Sequence, residues 1–152
     1  MNKQRTAYSL IEMIVVVLIL GAMTFIAIPR LSFSGVHKKQ AHTIAKRIVT
    51  DLRRTRTMAI TGAATNPTGY SLRMTGSAPY SGYRIINDAN SVTMDTLTID
   101  QHTSSSGGPN FLFGPLGNLR TGSSTQLTVS AEGTTYTITV ISGTGIVECS
   151  GG

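Results

Sequence analysis

Three features of this sequence carry chemistry that has to be accounted for: an acid, Glu12, inside an apolar run; a repeat of cations, Lys39, Lys46, Arg47, Arg53 and Arg54; and a single thiol, Cys149. A carboxylate in apolar surroundings costs on the order of 2.5–3.5 kcal/mol even on mild insertion scales, and so calls for a cation. The apolar run around Glu12 contains none. Cations repeated along a helix can track phosphates or dock an acidic surface. One cysteine allows no internal disulfide and no Cys-based zinc or iron-sulfur site, so Cys149 reads as a tail thiol, with an intermolecular disulfide as the alternative. His37 and His42 are five apart and do not share a helix face as i,i+4 metal ligands do, and His102 stands alone in a Ser/Gly-rich stretch. Asp88, Asp95 and Asp100 are spread over strands and turns, and no loop carries the neighbouring carboxylates a hard cation needs. Nucleophile-elbow, zincin and phosphate-cradling motifs are missing. The expectation is a non-enzymatic protein with no metal and no cofactor.

The elements that position these residues fall into two unlike parts. A chain of 152 residues has room for one ordinary domain. Only 13% of it is charged, which excludes a charged disordered tail or a coiled coil and suggests a β-rich exported chain. Of its 13 Lys/Arg, ten lie in residues 1–56, while five of its 7 Asp/Glu lie beyond. The front third is thus expected to face a membrane surface, nucleic acid or a partner, and the rest to be a nearly neutral folded head.

From Tyr8 to Ile28, 17 of 21 residues are apolar, the exceptions being Ser9, Glu12, Gly21 and Thr24. As a helix this run would span roughly 30 Å, which predicts a membrane-spanning segment, with Lys3 and Arg5 favouring a cytoplasmic N-terminus. It is longer than the core of an ordinary cleavable signal peptide and ends at Pro29-Arg30, with no small-x-small site. Beyond a weak spot at Ser32 and Gly35, helical periodicity returns from Val36 to Ile60. Ala41, Ile44, Ala45, Ile48, Leu52 and Ala59 form one stripe, and the five cations lie opposite. Gly62 and Asn66-Pro67-Thr68-Gly69 stop it. The basic face reads in three ways: a solvated or subunit-packing face, a nucleic-acid face, or a dock for an acidic partner. No aromatic lies between Phe33 and Tyr70 to stack single-stranded bases. After Tyr70 the period becomes two, with strands at 70–74, 83–86, 92–99, 125–129 and 134–140 and a hairpin through Ala131-Glu132-Gly133. These predict an antiparallel sheet with one buried face, and Ser104-Ser105-Ser106-Gly107-Gly108 reads as a flexible loop.

Arg5-Thr6-Ala7-Tyr8-Ser9-Leu10-Ile11-Glu12 and the apolar residues after it resemble the N-terminal signal of type IV pilins and type II secretion pseudopilins. Ala7 and Tyr8 stand where that family usually has Gly and Phe or Met. The resemblance implies cleavage between Ala7 and Tyr8 by a prepilin peptidase, N-methylation of Tyr8, and Glu12 as the fifth mature residue, able to pair with the Tyr8 amine of a neighbouring subunit. Gly21 and Pro29 match positions where many members carry a helix-loosening Gly and a helix-kinking Pro. Residues 110–147, with Asn110-Phe111-Leu112-Phe113-Gly114-Pro115 and Ser142-Gly143-Thr144-Gly145-Ile146-Val147, are similar to the heads of H-type minor pseudopilins and FimT-like minor pilins. FimT-like DNA binders place arginines around the final Gly turn, and here Gly145-Ile146-Val147-Glu148 has no cation.

What this resemblance implies is an α+β, pilin-like fold in which a long N-terminal hydrophobic and amphipathic helix packs on a C-terminal antiparallel sheet. Its parts are a cleaved leader (1–7), a transmembrane and assembly helix (8–28), a basic helical extension (29–61) and a β head (62–152). The implied function is a structural minor pseudopilin of a type II secretion system, single-pass in the bacterial inner membrane with its head outside the cytoplasm, polymerising with other pilin or pseudopilin subunits. The alternatives are a minor type IV pilin for pilus assembly or DNA uptake, and a membrane-anchored binding domain that never polymerises.

Overall fold

The computed structural model describes residues 9–27 and 34–152. Two compact units divide at residues 33 and 34. The first contains helix α1 (Leu10–Ala27), which begins at Ser9, whose carbonyl accepts from the Glu12 amide at 3.0 Å. Ser9 and Glu12 therefore occupy the N-cap and N3 positions of a Ser-x-x-Glu start, where an acid also faces the positive end of the helix dipole. Gly21 sits within this helix, with open space where a side chain would project.

The second unit opens with helix α2 (Ser34–Thr61). It continues through β1 (Tyr70–Thr75), β2 (Gly82–Asn87), β3 (Val92–Thr98), β4 (Ser104–Gly107), β5 (Asn110–Phe113), β6 (Gln126–Ala131), β7 (Thr134–Val140) and β8 (Val147–Gly151). These form two four-stranded antiparallel sheets, in the orders β3-β2-β1-β5 and β4-β6-β7-β8. α2 packs against both, touching β1 and β5 of one and β6, β7 and β8 of the other. Ala41, Ala45, Ile48, Leu52 and Ala59 are buried along one stripe of α2, and Ile44 packs beside the core. Small residues at 41, 45 and 59 let the helix approach the strands closely, and Leu72, Tyr83, Ile85, Phe111, Phe113, Leu127, Val129, Ile138 and Val140 meet it.

The turns follow from local chemistry. Asn66 is 3% exposed; its amide group donates to Gly69 O at 2.7 Å and to Asn87 Oδ1 at 2.8 Å, while its carbonyl oxygen accepts from Gly69 N at 2.9 Å. Gly69 has φ +83°, and a Cβ there would run into the Phe113 carbonyl. β6 and β7 pair up to Ala131 and Thr134, so Glu132 (φ 48°) and Gly133 (φ 76°) alone make the hairpin turn. Two positive φ values in a two-residue loop are those of a type I′ turn, whose twist matches the strands it joins.

Three expectations are corrected. The single long helix on a single sheet is replaced by two separate helices and two sheets, although the α+β class remains compatible. Pro29, which donates no N–H and disfavours helix at the residue before it, lies between the two helices in sequence. The membrane-spanning helix and the single-pass inner-membrane location are not supported, because among the described residues no helix is long and apolar enough to cross a membrane. The 18 residues of α1 rise only about 27 Å. The Ser104–Gly107 stretch, expected to be a flexible loop, is strand β4, bonded in register to β6 from Ser104↔Ser130 to Gly107↔Leu127.

Candidate functional site

Side chains at the start of α1 are exposed, Glu12 among them, and so are Leu10, Ile11, Met13 and the apolar residues that follow to Leu20. Leu10 is 78% exposed, Leu18 67% and Met23 66%, although these lie on different sides of the helix. Ala7, Tyr8 and Pro29, the proposed processing and kink residues, lie outside the described residues.

The cations of α2 divide into two rows. At about 100° per residue, Lys39, Lys46 and Arg53 align within ~40° of one another, and Arg47 and Arg54 align ~90° around the helix. The second row serves the first sheet. Arg54 Nη1 donates to Asp95 Oδ2 on β3 at 2.8 Å, and Arg47 lies 4.0 Å from Asp51. Asp51 in turn accepts a hydrogen bond from the Tyr83 hydroxyl on β2. Tyr83 is 1% exposed, and burial, reinforced by the Asp51 carboxylate, holds its phenol well above the usual tyrosine range. Asp51 thus lies between Arg47 of this row and Tyr83 of β2, while Asp95 holds Arg54. Both Arg54 and Asp95 are substantially solvated, so that pair contributes at most about 1 kcal/mol.

The other row faces the second sheet. Arg53 Nη2 donates to the Val147 carbonyl of β8 at 3.0 Å. Lys39 and Lys46 are exposed. Beside them a groove of ≈ 380 Å³ runs between α2 and β7–β8, lined by His42, Lys46, Arg53, Tyr136, Cys149 and Gly151 among others. The His42 ring lies 5.4 Å from that of Tyr136. This arrangement can hold an anionic group next to an open strand edge. It offers no nucleophile with an adjacent base.

Sequence reasoning missed two participants. Arg56, half-buried, donates from Nε to Gly117 O at 3.2 Å and to Thr144 O at 3.1 Å, tying the loops after β5 and β7 to the end of α2. On the helix it lies ~60° from Arg53 and ~80° from Lys46, on neither cationic row, so the sequence carried no signal for it. His102 does not stand alone: its ring centroid is 4.4 Å from that of His37, whose Nδ1 is 3.0 Å from Gln40 Oε1. No local pattern could pair residues so far apart. Among the described residues, no three His, Cys, Asp or Glu side chains come together to hold a metal ion.

No family model, curated protein or solved structure matches the chain, so the pilin, pseudopilin and secretion assignment has the sequence motifs as its only family evidence.

Proposed function

We propose that this chain is a structural subunit of a pilin-like filament, of the minor pseudopilin kind its N-terminal residues resemble, and that it assembles by burying α1 against corresponding apolar helices of other subunits. The observation that supports this reading is the all-round exposure of large apolar side chains on α1. Eleven of them, from Leu10 to Met23, stand at about half exposure or more. A helix that serves a single domain carries one apolar stripe, whereas a helix apolar on every side needs cover on every side. Covering one such side chain fully is worth ~1.5–3 kcal/mol, so a bundle of these helices has a large driving force before any head contact forms.

Glu12 gives the bundle a register. Desolvated among apolar helices, its carboxylate needs a cation, and the α-amino group freed at Tyr8 by cleavage after Ala7 supplies one from a neighbouring subunit. The N-cap geometry supplies the control. Gln at N3 keeps a side chain able to cap the helix start but carries no charge, and Ala does neither.

In a host that makes the filament, Glu12→Gln and Glu12→Ala are therefore both expected to fall at least about tenfold in the sheared-filament fraction, a loss equivalent to ~1.4 kcal/mol. Head folding should be unchanged in both. Wild-type incorporation of Glu12→Gln together with loss of Glu12→Ala would reduce Glu12 to a helix cap. Wild-type incorporation of both would overturn the register role.

A further inference from the structure

We infer that the free edge of β8, with the cationic row of α2 beside it, is a binding site for an extended acidic peptide segment of a partner protein, added as a ninth strand. The inference stands on the head alone and does not depend on assembly through α1.

The direction of the backbone on β8 is fixed by its neighbours. The Val140 amide donates to Thr125 O on the β6 side, so Val140 and Val147 form a pair whose N–H and C=O groups point away from each other. The Val147 carbonyl accordingly points outward, where Arg53 Nη2 reaches it. Alternation along the strand then turns the N–H and C=O of Cys149, and those of Gly151, outward as well. Among the described residues, no hydrogen bond satisfies the Cys149 pair. The outer edge of β5, by contrast, is closed: the Leu112 carbonyl accepts from Arg120 N at 2.8 Å and the Asn110 carbonyl from Ser124 N at 2.6 Å.

The chemistry of the occupant follows from the wall. Lys46, Arg53 and His42 line the groove together with Cys149 and Tyr136, and no carboxylate does. Arg53 is held against the strand edge by its bond to Val147, and Lys46 has no acceptor among the described residues. The one acid on β8, Glu148, alternates onto the opposite face from Cys149. A strand laid along Cys149 and Gly151 would exchange main-chain hydrogen bonds with Cys149 and turn every second side chain towards α2. Carboxylates at those alternate positions meet Lys46 and Arg53, and the main-chain bonds set the register. Duplex DNA needs a broad run of phosphate contacts, whereas this edge offers a narrow slot with two unpaired backbone positions.

The test uses the full chain in detergent micelles and a fluorescent heptapeptide with Glu at alternate positions and Val or Thr between, read by anisotropy. Saturable binding is expected. It should weaken by about tenfold or more when the alternate edge-facing amides are N-methylated, when Glu is replaced by Lys in the peptide, or in Lys46→Glu. Arg47→Glu, on the other cationic row, should change it less than about threefold. Slowed hydrogen exchange of the Cys149 amide in the complex would place the strand. Absence of binding, equal binding of the N-methylated peptide, or displacement by duplex DNA at equal or lower concentration would each overturn the proposal, the last two in favour of a simple anion-binding face.

Discussion

Tyr83 donates its hydroxyl to Asp51 from a position that is 1% exposed, and both burial and the carboxylate favour the protonated phenol. Below pH ~10 the folded and unfolded chains both hold that proton. Above it the unfolded chain loses it first, so this group's contribution to stability falls as pH rises, by up to ~1.4 kcal/mol per pH unit. Tyr83→Phe should therefore flatten the alkaline limb of a stability-versus-pH curve from chemical denaturation. At neutral pH it should cost ~1–3 kcal/mol, because Asp51 loses a donor. An unchanged alkaline limb would show that another group sets it. Processing is also a single-residue matter. Mass spectrometry of protein from a host with an active prepilin peptidase should find a chain beginning at N-methylated Tyr8, and Ala7→Leu should leave Met1 in place.

At the scale of elements, α2 is the piece that both sheets need. Leu52 is fully buried on its core stripe, and Leu52→Ala should cost ~2–5 kcal/mol and lower Tm by more than about 6 °C. Met94, unpaired where the β2–β3 register shifts between Ile85 and Ile86, is 49% exposed, and Met94→Ser should stay within ~0.5 kcal/mol. Comparable losses at the two positions would mean that the core is misassigned. The stripe of α2 was legible in the sequence because 3.6-residue periodicity reports one buried face, and Ala41 to Ala59 show it. Which sheet each row of cations faces was not, because a helical wheel gives angles but not what lies on either side. β4 was illegible for a different reason. Ser104-Ser105-Ser106-Gly107 has no strand-forming composition, and its order comes from distant partners: Ser105 O accepts from Tyr80 N at 3.0 Å, and the Tyr80 hydroxyl donates to Gly107 O at 2.5 Å. The hairpin at Glu132-Gly133 was legible because Gly there supplies a positive φ.

For the whole molecule, the two units present opposite surfaces to their surroundings. The head closes its core with α2 and two sheets, and its cations are partly satisfied by Asp51, Asp95 and the carbonyls of Val147, Gly117 and Thr144. α1 satisfies its backbone internally and leaves its apolar side chains bare. Assembly through α1 is the claim on which the functional account turns, and a photo-crosslinking residue at Val16 tests it most directly. In cells that make the filament, irradiation is expected to join this chain through residue 16 to the apolar N-terminal segment of another pilin-like subunit, identified by mass spectrometry of the adduct. The adduct should fall at least about tenfold in Glu12→Gln. Abundant, correctly processed protein that yields no such adduct would contradict the account.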